Sequence, residues 1–120
     1  MLTGINTQLP NWGRRAPLYQ VSNGGILFFN PLAYRGVPIT MLLNTTGITL
    51  KQMCTPPPGV YVFNLLQDSS GSRTITTYPA AWRWMSGGTV PTLTTTANKI
   101  DVVTLECDGL YQLVTCNTNG

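Results

Sequence analysis

The sequence predicts an all-β protein: a single jelly-roll-like antiparallel β-sandwich of about eight short strands, preceded by an extended N-terminal arm. Two observations lead to this fold class. Short runs of β-branched and other apolar residues recur through residues 24–120, and Gly, Pro, Asn and Asp separate them at turns. No stretch repeats its apolar residues at the spacing of an amphipathic helix. Short strands of this kind are typical of sandwiches and barrels, and 120 residues are enough for one such domain.

Residues 1–23 form the predicted arm, because their apolar side chains follow no regular spacing and Pro10 and Pro17 prevent a helix. We expect the arm to lie in a groove on another subunit, although an arm that wraps its own domain explains the composition equally well. The adjacent Arg14 and Arg15 are then either solvated charges or contacts to an acidic patch on a neighbouring protein. The arm residues predicted to bind the partner are Leu9, Trp12, Arg14, Arg15, Leu18 and Tyr19.

The domain predicted over residues 24–120 begins with three strand signals. Ile26–Phe29 and Ile39–Leu43 are short apolar runs bounded by turn residues. Residues 48–53 open with alternating apolar and polar side chains, as a strand with one solvated face does. The three prolines at 56–58 then predict a stiff connection between strands, with a recognition peptide for an aromatic groove as the alternative.

The strongest candidate for a central strand is Val60–Gln67. Its two faces are both apolar, one with Tyr61, Phe63 and Leu65 and the other with Val60, Val62 and Leu66. Because a strand that is apolar on both faces is usually buried on both, we expect both faces to be covered. The next strand, Arg73–Tyr78, is rich in threonine and is therefore expected at an exposed or edge position.

A hairpin is predicted near the C-terminus, with Asp108-Gly109 as a two-residue turn between two apolar runs. The turn predicts a register in which three pairs face each other: Cys107 with Leu110, Leu105 with Gln112, and Val103 with Val114. This register keeps Cys116 away from Cys107. The chain has three cysteines, an odd number, and no Cys-x-x-Cys spacing, so we expect buried free thiols and no disulfide between these two.

Several motifs in the second half of the chain occur together in one known family. They are Trp82-Arg83-Trp84, Gly87-Gly88, Pro-Thr-Leu-Thr-Thr at 91–95, Asp101-Val102, Asp108-Gly109 with Tyr111 two residues further on, and upstream Gly59–Val62, Leu66–Asp68 and Gly71–Thr76. In this combination the chain resembles the C-terminal β-sandwich module of tailed-bacteriophage virion proteins. That module occurs in tail fibres, in tail spikes and in small head-associated proteins. Fainter similarity extends back through residues 39–53.

The resemblance implies a structural place in a virion. We expect a non-enzymatic capsid decoration or cement protein that docks on the assembled major capsid lattice as a homo-oligomer, either a trimer or a dimer. The alternative is a tail-fibre or tail-spike component that binds a host surface carbohydrate on an aromatic platform of Tyr78, Trp82 and Trp84. We expect a virion protein, on the head surface rather than the tail, made in the bacterial host cytoplasm, because no signal peptide or transmembrane stretch is visible.

The composition favours an assembly component over an enzyme. Only 9% of the residues are charged, whereas soluble domains average about a quarter. The net charge of +3 comes from scattered basic residues, without the basic stripe of a nucleic-acid binder. Histidine is absent, and the nearest approach to a catalytic carboxylate pair is Glu106 with Asp108, of which Asp108 already has a role in the turn. We therefore expect no cofactor and no metal ion.

Overall fold

The fold is described from a computed structural model, which defines the placement of residues 18–21, 23–34, 36–85 and 87–118. Within these ranges the chain has nine strands and one four-residue helix. In chain order they are β1 (Leu18–Val21), β2 (Ile26–Phe29), α1 (Pro31–Tyr34), β3 (Ile39–Leu43), β4 (Ile48–Gln52), β5 (Gly59–Gln67), β6 (Ile75–Thr77), β7 (Trp82–Trp84), β8 (Ile100–Cys107) and β9 (Gln112–Asn117). The chain is therefore all-β, as predicted. The helix α1 is far too short to cross a bilayer, and the described ranges contain no helix with the length and apolar character that a membrane span requires.

The strands form two sheets. One is six-stranded in the order β1-β3-β5-β8-β9-β7, and the other is three-stranded in the order β2-β4-β6. The first six strands alternate between the sheets, so that odd-numbered strands enter the larger sheet and even-numbered strands enter the smaller one. The chain thus winds around a shared interior instead of folding back on itself strand by strand.

This winding contradicts the predicted antiparallel pairing. Strand β3 pairs in parallel with both β1 and β5, and β4 pairs in parallel with both β2 and β6. Only the pairs β5–β8 and β8–β9 are antiparallel among the described strands, since β7 is also parallel to β9. The turn signal at residues 45–47 shows the physical reason. It carries the chain from β3 in one sheet to β4 in the other, so it is a corner between sheets and not a hairpin.

The two sheets enclose one hydrophobic core. Phe29 of the smaller sheet makes edge-to-face contacts with Tyr61 and Phe63 of β5, with ring centroids 5.4 and 4.6 Å apart. Alternate residues point inward along each strand, as the period of two requires. The buried hydrophobic residues are Leu27, Phe29, Ile39, Met41, Leu43, Ile48, Leu50, Tyr61, Phe63, Leu65, Trp82, Trp84, Val103, Leu105, Cys107 and Val114.

The predicted boundary between arm and domain at residue 23 is wrong. Residues 18–21 form β1, which pairs with β3 and is an edge strand of the six-stranded sheet. Leu18 and Tyr19, both predicted as arm residues, therefore belong to the sheet, because their backbone lies in its hydrogen-bonded ladder. The remaining predicted arm residues, Leu9, Trp12, Arg14 and Arg15, lie outside the described residues.

The β8–β9 hairpin forms, but its register differs from the predicted one by two residues. The observed partners are Cys107 with Gln112, Leu105 with Val114, and Val103 with Cys116. The reason is the turn: the Asp108 carboxylate accepts hydrogen bonds from the amides of Leu110 and Tyr111 at 2.8 and 2.7 Å, which extends the connection to residues 108–111. A shift of two leaves every side chain on its predicted face. All three cysteines are free thiols, as predicted, but the expectation that they are buried is wrong for Cys54, which is exposed on the connection after β4.

Candidate assembly surface

The outer face of the six-stranded sheet is the most distinctive surface of the described residues. Strand β5 presents its outward residues there, and β8 presents its own directly opposite in the ladder: Val60 with Glu106, Val62 with Thr104, Asn64 with Val102, and Leu66 with Ile100. Val60 is 45% exposed and Ile100 is 39% exposed, so apolar surface is open to solvent. Sequence analysis placed Val60, Val62 and Leu66 together on one face correctly. Within a single chain that face is left open.

The same character continues on the neighbouring strands. Their outward residues are Thr40 and Leu42 on β3 and Leu113, Thr115 and Asn117 on β9. Among the outward side chains of the described strands, charge occurs at Glu106 on β8 and Arg83 on β7, both beside Leu113, and the Asp108 carboxylate lies just beyond the end of β8. Solvent-facing sheets normally mix charges of both signs among their outward positions. A broad face of valine, leucine, threonine and asparagine is instead typical of a protein-protein contact.

Leu113 stands between two shallow depressions on this face. One, of about 520 Å³, is lined by Trp82, Arg83, Trp84, Met85, Gly88 and Leu113. The other, of about 270 Å³, is lined by Gly59, Val60, Glu106, Cys107, Asp108 and Leu113. Small-molecule sites combine an enclosed apolar cavity with several converging polar groups. These depressions are open, and their charged lining residues are Arg83 in the first and Glu106 with Asp108 in the second, so they suit side chains of a partner better than a small ligand.

Arg83 is oriented by an aromatic neighbour. Its guanidinium lies over the ring of Tyr111, 4.9 Å from the ring centroid, in a cation–π contact. Tyr111 itself is held by the turn, because its amide donates to the Asp108 carboxylate at 2.7 Å. The contact with Tyr111 therefore restricts the position of the Arg83 guanidinium at this edge of the face.

The predicted aromatic platform comes together, but inside the core. The ring centroid of Tyr78 lies 4.9 Å from that of Trp84 and 5.8 Å from that of Trp82. Trp82 and Trp84 are only 6% and 8% exposed, and Trp82 stacks on Phe63 at 5.9 Å. A sugar ring needs an accessible aromatic face to stack on. The prediction of a glycan-binding platform at these three residues is wrong, because alternation along β7 turns both indoles inward and leaves Arg83 outside.

A chain of side-chain hydrogen bonds ties Trp82 to both sheets. Its indole Nε1 donates to Oε1 of Gln52 on β4 at 2.9 Å, and Gln52 Nε2 donates to Oε1 of Gln112 on β9 at 2.9 Å. Sequence analysis missed both glutamines. The signal that could have identified them is a polar residue at the end of an apolar strand, because a buried indole N–H needs a hydrogen-bond acceptor.

A buried glutamine joins the loop that follows β5 to the loop that precedes β8. Sequence analysis also missed this residue. Gln67 is 1% exposed at the end of β5, on the inward face after Leu65. Its Nε2 donates to the carbonyls of Arg73 and Thr94 at 2.8 and 2.9 Å, and its Oε1 accepts from the Arg73 amide at 2.9 Å. One side chain thereby holds the loop after β5 against the loop before β8.

The neighbouring Asp68 closes the first of these loops. Its carboxylate accepts from the amides of Ser70 and Gly71 and forms an ion pair with Arg73 at 3.0 Å. The hydrogen bond from Arg73, opposed in part by desolvation, lowers the pKa of Asp68 below its ordinary value. Two backbone hydrogen bonds and one ion pair therefore hold this loop in place.

Burial shifts the pKa of three titratable groups beneath this surface. Burial raises the pKa of Tyr78 and raises the pKa of Cys116 to about 11, with the nearby Asp101 contributing to both. Burial likewise raises the pKa of Cys107. These two thiols are protonated at neutral pH, and a thiol is nucleophilic only as its thiolate. Within the described ranges no group of His, Cys, Asp and Glu side chains is placed to hold a metal ion.

The predicted carboxylate pair separates into two different roles. Amide hydrogen bonds from Tyr111 and Leu110 lower the pKa of Asp108, whose carboxylate thus serves the turn, as expected from the sequence. Glu106 lies exposed on the outer face of β8 opposite Val60.

No family model matches this chain, and no curated protein or solved structure shows significant similarity to it.

Proposed function

We propose that this chain is a non-enzymatic structural protein of a bacteriophage virion, a capsid decoration or cement protein that docks on the assembled major capsid lattice as a homo-oligomer. The observation that carries the proposal is the outer face of the six-stranded sheet, which is broad, partly apolar and carries few charges, namely Arg83, Glu106 and the adjoining Asp108 among its described side chains. Contiguous apolar faces with few charges commonly mark sites of protein–protein contact. The motif resemblance to virion modules supplies the setting.

The fold supports a passive mechanical role. Its core is continuous between the two sheets, and Gln67 and Asp68 fix the loops at one end of the larger sheet. A rigid module of this kind contributes by adding contact area across junctions between shell subunits. Each contact is weak, but many copies on one lattice act together, so the shell gains stability from their sum.

The predicted arm fits the same proposal. Strand β1, which directly follows the predicted arm residues 1–17, lies at the edge of the six-stranded sheet. Leu9 and Trp12 would add apolar contact area, and Arg14 and Arg15 would pair with acidic groups on the major capsid protein. An edge strand can also accept a further strand from a neighbouring chain by backbone hydrogen bonding.

The tail-fibre alternative receives no support from the aromatic residues that suggested it. Trp82 and Trp84 are buried, and Trp82 already uses its N–H on Gln52. A carbohydrate-binding tip would have to use another surface. We therefore propose a place on the capsid surface in preference to the tail.

The experiment that tests the proposal is a count of copies. Quantitative mass spectrometry of purified virions of the phage that encodes this chain would compare it with the major capsid protein. A decoration protein is expected at a ratio on the order of one copy per capsid subunit or per few subunits, because it binds a repeated lattice site. A few copies per particle would place it at the tail or at a single vertex and would overturn the decoration role, and complete absence would overturn the virion assignment.

A further inference from the structure

We infer that two copies of this chain pack face to face through the outer faces of their six-stranded sheets, about a two-fold axis that runs across the strands. The inference rests on the proposed function only in taking this face as the assembly surface, and it names a second copy as the occupant. Two observations carry it: the distribution of charge along β8, and the central position of β5 and β8 in the sheet.

The charges around this face are separated along β8. Glu106 and Asp108 lie at the end of β8 that leads into the turn, where both line the depression of about 270 Å³. Lys99 is exposed and immediately precedes Ile100, the first residue of the strand, at the opposite end. One end of the face is therefore acidic and the other end is basic.

The remaining described charges do not alter this separation. Arg83 lies on the edge strand β7, two places from β8, and stays at the exposed rim of the face. Within the described residues no ion pair involves Lys99, Glu106 or Asp108, so these three charges can pair with a partner. The other described charges are Asp68 and Arg73 in their ion pair, Lys51 on the smaller sheet and the buried Asp101.

A two-fold axis across the strands brings the opposite ends together. It passes over the pair Phe63–Val103, midway along β5 and β8. Rotation by half a turn about this axis lays each of these strands over its own equivalent, running in the reverse direction. The acidic end of β8 then faces Lys99 of the partner subunit, and the same contact forms a second time at the other end. A self-complementary patch of this kind is what an isologous contact requires.

An axis along the strands gives the opposite result. It keeps every residue at its own height along the strands, so the acidic ends of the two copies would lie on the same side, and so would the two Lys99 side chains. Like charges at a protein contact are strongly unfavourable, whereas opposite charges fix its register. The distribution of charge therefore selects the axis across the strands.

The crossing angle of packed sheets is compatible with this pairing. Packed sheets cross at about 30°, which displaces facing residues at the strand ends by roughly one strand spacing. The long side chains of Lys99 and Glu106 can span that displacement. The contact therefore joins the two ends of β8 and does not depend on one exact partner for each charge.

The same axis covers the apolar part of the face. Strands β5 and β8 are the two central strands in the order β1-β3-β5-β8-β9-β7, so both lie within the contact over their full length. Val60, exposed at the acidic end, comes over the end of the partner sheet that carries Leu66 and Ile100. The apolar residues of β5 are thereby removed from solvent together with those of β8.

The size of the contact sets the strength of the dimer. Strands β3, β5, β8 and β9 are together about 19 Å wide, and β5 and β8 are about 27 Å long, so the planar area is on the order of 500 Å². Accessible area follows the side chains and exceeds planar area, and stable complexes bury about 800 Å² of it on each partner. We therefore expect a dimer at the lower end of this range, which dissociates on dilution.

Charge reversal on the full-length protein tests the pairing of the strand ends. Sedimentation velocity over a range of concentrations is expected to show a monomer–dimer equilibrium for the wild type. Lys99→Glu should raise the dissociation constant about tenfold or more, because it brings a third carboxylate to the acidic end of the partner subunit. Adding Glu106→Lys should recover most of the lost affinity. Asp108 is left unchanged, because its carboxylate closes the turn.

Lys51→Glu is the matched control for charge reversal. Lys51 is exposed on β4 of the smaller sheet, so the same change of charge there should leave the dissociation constant unchanged. A wild type that stays monomeric overturns the inference, and so does a double variant that dimerises no better than Lys99→Glu alone.

Cross-linking tests the direction of the axis. Val60 and Ile100 are exposed at opposite ends of the face, on β5 and β8. An axis across the strands places two copies of either residue about 20 Å apart along the strands, and it places Val60 near Ile100 of the partner subunit. In a Cys54→Ser background, which removes the exposed native thiol, Val60→Cys and Ile100→Cys should each fail to form a covalent dimer with a short bismaleimide, and their mixture should form one.

A short linker is used because facing sheets lie about 10 Å apart, too far for a direct disulfide. Thr76→Cys, exposed on β6 of the smaller sheet, is the control and should not link to Ile100→Cys. Covalent dimers of Val60→Cys or Ile100→Cys alone would indicate an axis along the strands and overturn the inference. A mixture that forms no covalent dimer would overturn it as well.

These outcomes are independent of the copy number in virions. A dimer of this geometry without virion incorporation would contradict the proposed place in the virion alone. Virion incorporation of a protein that associates through another surface would contradict this inference alone.

Discussion

The packing of the two joined loops depends on the absence of a side chain at Gly71. Gly71 is buried, its φ is 70°, and a Cβ at this position would lie 2.7 Å from the carbonyl oxygen of Thr95 and 2.9 Å from the amide nitrogen of Ala97. Both neighbours are backbone atoms, which cannot rotate away. The next residue, Ser72, donates its amide to Thr95 at 2.7 Å, so the two loops touch along their backbones.

Replacement of Gly71 by alanine should therefore destabilise the fold more than a positive φ alone explains. Gly47→Ala is the matched control, because Gly47 has φ of 72° but a Cβ there would meet no atom within 4 Å. We expect the control to lose about 1 to 2 kcal/mol of unfolding free energy from backbone strain, and Gly71→Ala to lose about 3 kcal/mol or more from strain plus overlap. Urea denaturation measures both. Equal losses would show that the loops can separate without penalty.

At the scale of the elements, Gln67 joins three segments. It is the last residue of β5, and its amide group bonds the loop after that strand and the loop that leads to β8. A fully buried amide that satisfies three backbone groups is a strong local organiser, since each of those groups would otherwise be buried without a partner.

Replacement of Gln67 by leucine should release both loops while keeping the volume of the side chain. The carbonyls of Arg73 and Thr94 and the amide of Arg73 would lose their partner, so we expect a loss of about 3 kcal/mol or more in unfolding free energy. Amide hydrogen exchange should accelerate at Arg73 before it does in β8. Asn64→Leu, on the outward face of the same strand, is the control and should change stability by less than about 1 kcal/mol. Unchanged exchange at Arg73 in the Gln67 variant would contradict this role.

The elements also show why some predictions from sequence succeeded and others did not. Alternation of apolar and polar residues identified the inward face of β4, and the period of two sorted the side chains of β5 correctly into two faces, although one of these faces is open and not covered as expected. This alternation is identical in parallel and antiparallel strands, so the direction of strand pairing could not be predicted from it. The hairpin register depended on how the Asp108 side chain extends the turn, a local choice that Asp-Gly alone does not specify.

For the whole molecule, the winding of the first six strands makes β1 one end of the larger sheet. Its parallel partner β3 carries Ile39, Met41 and Leu43 into the core. Removal of β1 would expose the backbone edge of β3 and the core beneath it. The domain is therefore expected to need residues from Leu18 onward, and not only those from Gly24.

Two truncations separate the arm from the fold. Deletion of residues 1–17 keeps every described strand and should change the melting temperature little. Deletion of residues 1–23 removes β1 and should lower it by roughly 10 °C, because the hydrogen bonds to β3 and the cover of its edge are lost. Differential scanning calorimetry measures both. Equal melting temperatures would mean that β1 adds nothing to stability. The shorter deletion is then the appropriate variant for measuring how the arm contributes to shell binding.

The sequence by itself determined that this is a β protein, which residues of the central strand β5 share a face, and that few charges are present to keep copies apart. These properties follow from local chemistry: side-chain period, turn residues and composition. Only the tertiary structure decided that the strands wind between two sheets, that Trp82 and Trp84 are core residues, and that Arg83 and Glu106 flank Leu113 on the outer face of the larger sheet. The physical reason is that strand direction and strand order bring together residues distant in the chain, and those contacts leave no trace in the local pattern of any one strand.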